Sequence, residues 1–192
     1  MLNFLIFGPP GSGKGTQSVQ LDEKFNLKHL STGDMLRAEI AAGTELGKKM
    51  SAIMATGELV PDEVVIEMIA GKIDSTNDSA GFLFDGFPRT VAQTEALEKM
   101  LNERGMKIDS MRVLDVDHDE LVKRLILRAE LSGRPDDKDP AVIENRIDVY
   151  KAKTEPIIDF CKQRGIYQPV DGVGSIDDRF GRLSTLISGH IG

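Results

Sequence analysis

The sequence predicts an α/β fold of three layers, with a five-stranded parallel sheet between two layers of helices. Three observations carry that expectation. Short apolar runs recur along the chain, each too brief for a helix and bounded by glycine or polar residues. Stretches with helical apolar spacing separate them. The first run passes straight into a glycine-rich loop with a helical pattern behind it, as a βαβ unit requires.

Residues 2–7 (LNFLIF) read as a buried strand, since the run is short and stops at Gly8. A helix beginning near Lys14 carries Val19, Leu21 and Phe25. KHLS (28–31) gives a weaker strand signal, and Met35, Leu36 and Ile40 mark the next helix. Residues 31–60 hold no strand within them, only helical spacing punctuated by Gly43, Gly47 and Gly57. Val64, Val65, Met68 and Ile69 space as a further helix, and GFLFD (81–85) and MRVLDVD (111–117) read as strands. Leu121, Leu125 and Ala129 recur on another helix. The polar stretch SGRPDDKDP (132–140) then precedes one more helix, and its arginine marks it as a candidate lid. Ile157, Ile158 and Phe160 give a late helix, and YQPV (167–170) a last strand. Strands of this continuous apolar kind belong to a parallel sheet covered on both faces.

A chain of 192 residues suffices for one compact α/β domain with small insertions and is too short for two full domains. A hydrophobic content of 40% and a charged content of 29% are those of a soluble globular protein. The net charge of −7 argues against nucleic acid or an anionic membrane as partner, so cations for a polyphosphate would have to gather locally. No run approaches the ~20 apolar residues of a membrane span, and MLNFLIF lacks the basic n-region and cleavage site of a signal peptide. The single Cys161 leaves no intrachain disulfide and no four-cysteine zinc site. It follows Phe160 in an apolar helical pattern, so a packing role is expected. A cytoplasmic location fits these features.

The loop GPPGSGKG (8–15) matches G-x-x-x-x-G-K between a strand and a helix. Gly8, Gly11, Gly13 and Gly15 are expected to take positive φ and turn their N–H groups inward, while Pro9 and Pro10 stiffen the loop. The helix dipole points at the same place, and Lys14 would reach β- and γ-phosphates. Gly15 stands where a metal-binding Ser or Thr is common, with Thr16 one step later, so Mg²⁺ would be held through phosphates and water. Asp85, at the end of an apolar strand, is placed to orient that water. Arg89 follows after the turn GFP and can fork onto a phosphate. Arg124 and Arg128 share a helix face, Arg134 sits in the polar loop and Arg146 on the next helix. No N-K-x-D element is present, nor the H-R-D and D-F-G pair of protein kinases, nor a Ser–His–Asp set. His29, His118 and His190 are scattered and receive no catalytic role.

These segments together resemble the nucleoside monophosphate kinase family, and within it the adenylate kinases of short-lid form. The resemblance spans nearly the whole chain and rests on GPPGSGKGTQ (8–17), LSTGDMLR (30–37), GELVPDE (57–63), DGFPRTVAQ (85–93) and SGRPDD (132–137) with Arg146. It implies a single P-loop kinase domain over residues 1–192, three-layered αβα, with residues 31–60 as the helical monophosphate-binding region and about 125–145 as the lid. It further implies reversible transfer of the γ-phosphoryl group of MgATP to AMP, giving two ADP, in the service of adenine nucleotide homeostasis. Gly11, Ser12, Gly13, Lys14, Gly15, Thr16, Arg124, Arg128 and Gly174 would bind ATP. Thr32, Arg37, Glu58, Leu59, Val60, Gly86, Arg89, Gln93, Arg134 and Arg146 would bind AMP, with Gln93 reading the adenine edge. Lys14, Asp85, Arg89, Arg124, Arg134 and Arg146 would carry catalysis, with Mg²⁺ as cofactor, no structural zinc, ATP, AMP and ADP as partners, and a monomeric chain. Lys-Gly-Thr is that family's own form of the loop, so Gly15 fits it. Two other readings are a UMP/CMP kinase, which usually carries alanine and asparagine where this chain has Thr32 and Thr90, and a non-catalytic P-loop nucleotide sensor.

Overall fold

The computed structural model describes residues 1–132 and 134–191, so Gly133 of the expected lid loop lies outside the described residues. Five strands form one parallel sheet: β1 (Leu2–Phe7), β2 (Leu27–Ser31), β3 (Gly81–Asp85), β4 (Ser110–Asp115) and β5 (Tyr167–Asp171), in the order β2-β3-β1-β4-β5. Alternate residues of the central strand feed opposite layers. Phe4 and Ile6 meet Leu21 of α1 (Lys14–Phe25) and Leu183 and Ile187 of α9 (Ile176–Ile191). On the other face, Leu5 and Phe7 join Ile69 of α4 (Asp62–Ser75), Leu97 of α5 (Val91–Asn102) and Ile157 of α8 (Pro156–Gln163). Burial on both faces is why β1 reads as a continuous apolar run rather than an alternating one. Cys161 of α8 lies fully buried in this second layer, and burial pushes its thiol up to about 11, so it packs as expected.

Two helices stand where the sequence reading marked none, α5 and α9. Thr90 caps α5 by accepting from the Gln93 N–H at 3.1 Å, and Leu97, Met100 and Leu101 form its buried stripe. Between β2 and β3, α2 (Thr32–Ala41) and α3 (Glu45–Ala55) precede α4, with no strand among them. After β4 come α6 (His118–Ser132), a single 3₁₀ turn (Pro135–Asp137) and α7 (Pro140–Val149). Then α7 runs into a π turn (Tyr150–Thr154) in which the Glu155 N–H reaches back five residues to the Tyr150 carbonyl at 2.8 Å. Pro156 lacks an N–H and its ring crowds the carbonyl four residues back, and the wider turn relieves that crowding. It also brings the Thr154 hydroxyl to the Arg89 carbonyl at 2.9 Å. No helix among the described residues is long and apolar enough to cross a membrane.

Candidate active site

Because every strand runs the same way, Phe7, Ser31, Asp85, Asp115 and Asp171 all end at one edge of the sheet. The loops leaving that edge line a cleft of about 680 Å³, the size of a small-molecule site. Open parallel sheets bind ligands at this edge because the loops and helix N-termini converge there.

The glycine loop forms one wall. Gly13 caps α1 with φ 95°, a left-handed conformation that favours glycine. No side chain caps α1 and its first turn holds no acid, so its leading N–H groups and dipole face the cleft uncompensated. Lys14 crosses the loop, its Nζ donating to the Gly8 carbonyl at 2.7 Å and the Pro9 carbonyl at 3.0 Å. Burial lowers its pKa to about 8 against the opposing pull of Asp85. Gly15 corrects an expectation: it lies inside α1 without the positive φ of Gly8, Gly11 and Gly13. A Cβ there would stand 3.7 Å from Asp85 Oδ2, an ordinary contact distance, so Gly15 lies directly in front of that carboxylate.

Asp85 is buried at the end of β3, with Oδ2 3.2 Å from His29 Nε2. It is a single carboxylate, and among the described residues no three His, Cys, Asp or Glu side chains cluster to cage a metal. One acid facing the helix start beside exposed Thr16 fits a hydrated Mg²⁺ held through water and phosphate oxygens, the mode this ion favours.

The arginines form the opposite wall. Asp137 is fully buried and accepts from Arg128 Nε at 2.6 Å and NH2 at 2.8 Å, and also from Arg146 NH1. Burial alone would raise its pKa, but hydrogen bonding and attraction from Arg128, with the charge of Arg146, hold it below the usual range. Arg146 also meets Asp136 Oδ2 at 3.0 Å. Arg89 donates from Nε to the Gly86 carbonyl at 2.8 Å. Burial, with repulsion from Arg146, lowers its pKa to about 10. Asp34 joins Arg37 at 2.6 Å to Arg134 at 3.3 Å, linking α2 to the segment after α6. Arg124 pairs with Glu120 at 2.7 Å and donates to the Gly172 carbonyl. A narrower pocket of about 60 Å³ adjoins this cleft behind Arg89 and is lined by Thr32, Arg37, Glu58, Leu59, Val60, Gly86 and Gln93.

A family model described as adenylate kinase matches residues 6–166. The chain belongs to the adenylate kinase family. It is 52% identical over 187 residues to the adenylate kinase of Phocaeicola vulgatus, an alignment covering 97% of this chain and 98% of that one. The adenylate kinase of Maricaulis maris is 50% identical over 177 residues (92% and 94% of the two chains). That of Stenotrophomonas maltophilia is 44% identical over 188 residues (98% and 100%).

Among the positions the adenylate kinase resemblance singled out, the large cleft gathers Gly11, Gly13, Lys14, Gly15, Thr16, Asp85, Arg124, Arg128 and Arg134. Gly86, Arg89, Arg37 and Arg146 border both compartments. Ser12 is buried beneath the loop, its Oγ 3.4 Å from Lys14 Nζ. Gly174, at φ 107° in the β5–α9 loop, is not among the described lining residues, whereas Ile176 and Arg179 are. Gln93 has its amide engaged, Oε1 accepting from the Arg89 N–H at 2.7 Å and Nε2 donating to Asp62 Oδ1 at 2.7 Å. Thr32 donates to the Gly86 carbonyl at 2.8 Å. The sequence reading missed His29, Asp34, Asp62, Thr154 and Arg179. Asp34 lay inside the STGD segment and Asp62 inside GELVPDE, so those two were legible as motif members.

Proposed function

We infer that this enzyme of the adenylate kinase family transfers the γ-phosphoryl group of MgATP reversibly to AMP, giving two ADP. The observation that carries the reading is the gathering of Lys14, Arg89, Arg128, Arg134 and Arg146 around one cleft that joins the phosphate loop to the pocket behind Arg89. Two polyanions meeting in one place need that many cations, because each phosphate chain repels the other.

The loop amides from Gly11 to Thr16, with Lys14, hold the ATP phosphates, and Arg124 lies against the donor base. Arg37 and Arg89 hold the AMP phosphate, while Thr32, Val60 and Gln93 flank the AMP base. An oxygen of the AMP phosphate then attacks the γ-phosphorus. The new P–O bond forms as the bond to the β,γ-bridging oxygen breaks, and its electron pair leaves on the β-phosphate of ADP. The attacking oxygen is already anionic, so no general base is needed, and catalysis is positioning and charge stabilisation. Arg128 and Arg146, locked on Asp137, are prepared for developing charge before substrate arrives. Bound with ATP, Mg²⁺ supplies further neutralisation of the triphosphate oxygens, and Asp85 is the residue that would hold its water. Closure of the segment bearing Arg134 excludes water that would otherwise hydrolyse ATP.

A coupled assay of purified protein with ATP against AMP, UMP, CMP and GMP tests the reading. AMP is expected as the preferred acceptor. Comparable kcat/KM for UMP or CMP would overturn the adenine assignment, and absence of transfer to any acceptor would overturn the reaction.

A further inference from the structure

Arg179 of α9 lies beyond residues 6–166 and has no place in the roles above. It is nonetheless only 8% exposed, and it lines the cleft with Gly13, Lys14, Thr16 and Arg124. Its NH1 lies 2.7 Å from where a Cβ on Gly13 would stand, so the guanidinium rests directly on the phosphate loop. Nε donates to the Ser175 carbonyl at 3.1 Å, which fixes the stem and leaves the fork towards the cleft. The platform beneath is firm. Ser175 and Asp178 cap each other at the start of α9, and Gln17 Nε2 of α1 donates to the Ile176 carbonyl at 3.0 Å.

Among the described residues no carboxylate forms an ion pair with Arg179, and its neighbour Glu120 is engaged by Arg124 at 2.7 Å. Burial and repulsion from Arg124 disfavour its charge, and the attraction of Glu120, already held by Arg124, only partly opposes them. A guanidinium sequestered without an anion is unfavourable unless a ligand compensates it. The only anion that the reaction brings to Gly13 is the donor triphosphate. Lys14 Nζ is engaged at the Gly8 and Pro9 carbonyls, whereas Arg179 NH1 rests at Gly13, within range of the Arg124 charge.

We propose that Arg179 contacts the donor nucleotide, its guanidinium binding the α-phosphate end of ATP across Gly13. The proposal rests on the ATP:AMP reading for the identity of the donor. It makes Arg179 a ground-state binding residue, so its loss falls on donor affinity rather than on turnover. Isothermal titration with MgATP alone, and separately with AMP alone, tests this on wild type and Arg179→Met. MgATP affinity is expected to fall about tenfold, the scale of one charge-assisted contact. AMP affinity is expected to change by less than about twofold, and in steady state the KM for MgATP rises while kcat falls less than about threefold. Unchanged MgATP affinity in the folded variant overturns the proposal, as does equal weakening of MgATP and AMP, which marks a distorted loop. Should Arg179→Met fail to fold, Arg179→Gln, which can keep the bond to Ser175, is read against the same outcomes. Wild type that binds MgATP but transfers nothing to AMP overturns the reaction assigned above and leaves the Arg179 measurement standing.

Discussion

Replacing Asp137 with asparagine removes one charge from the centre of the arginine wall while keeping its shape. Asp137 holds Arg128 through two hydrogen bonds of 2.6 and 2.8 Å and Arg146 through a third. Breaking a fully buried ion pair by removing one partner costs about 3–5 kcal/mol. Here Asp137 is fully buried, but the Arg128 and Arg146 side chains are 32% and 16% exposed, and water relieves part of the penalty. A loss of about 2–3 kcal/mol is therefore expected, equivalent to a Tm lower by roughly 5–10 °C for a chain of this length. The pH dependence has a definite sign. Asp137 titrates below its usual 3.8 in the folded state, so its contribution is present above that value and is lost as pH falls through the lowered folded value. The gap between wild type and Asp137→Asn should stay level from about pH 7 to pH 5 and narrow below about pH 4. Urea and thermal denaturation monitored by circular dichroism measure the free energy and the Tm. The exposed pair Glu45–Lys48, with side chains 82% and 65% exposed, is the control, and Glu45→Gln should change stability by less than about 0.5 kcal/mol. A Tm loss below about 2 °C, or one no larger than the control's, would refute the buried hub.

Further outcomes are expected at three residues. Lys14→Met lowers turnover at least ~100-fold, the scale for losing a group that stabilises transition-state charge. In wild type, Lys14 carries its proton only up to about pH 8, so kcat/KM for MgATP should fall as pH rises through that value, while this group's effect on stability rises between about 8 and 10.5. Arg89→Ala loses at least ~100-fold in turnover by the same argument, and near-normal rates in a coupled assay would displace it from the reaction. Arg112 of β4 is fully buried, Nε and NH1 lack partners among the described residues, and its contacts are the Leu186 carbonyl, His190 and the Phe4 ring. Arg112→Met should leave stability level or raise it by about 1 kcal/mol, since a buried charge without a counterion gives way to a hydrophobe of similar length. A Tm drop beyond about 3 °C would show that the three contacts outweigh desolvation.

The three central strands were legible because burial on both faces makes them short apolar runs, whereas the edge strands Leu27–Ser31 and Tyr167–Asp171 are only partly buried and gave shorter or weaker signals. The helix Val91–Asn102 carried a readable signature in Thr90 and the spacing of Leu97, Met100 and Leu101. So did Ile176–Ile191, through Phe180, Leu183 and Ile187. Other features belong to tertiary register. His29 faces Asp85 because β2 pairs with β3 so that Ser31 and Asp85 are opposite, a fact absent from either local sequence. Asp137 looked like one of several loop acids, and only the approach of α6 to α7 makes it a hub. Arg179 gave no local signal at all, since its partner surface is Gly13, far away in the chain.

Burial separates two kinds of carboxylate in this cleft. Asp137 is itself fully buried and holds Arg128 and Arg146 by three hydrogen bonds, so it fixes both guanidinia in place while their side chains stay partly open to the cleft. Asp34 also joins two arginines, yet its side chain is 54% exposed. An exposed pair of this kind contributes about 0–1 kcal/mol, less than a phosphate dianion gains from a forked guanidinium. On the proposed reading, the AMP phosphate would take Arg37 from Asp34 at little expense, whereas displacing the buried Asp137 would cost far more. Arg89 has neither sort of partner among the described residues and bonds through Nε only to a backbone carbonyl. Burial, with repulsion from Arg146, lowers its pKa despite the attraction of Asp85 and Asp136, and it stands where both the side pocket and the main cleft are lined. Fixed, exchangeable and uncompensated cations thus share one cleft, and Arg146, Arg37 and Arg89, one of each kind, also border the side pocket.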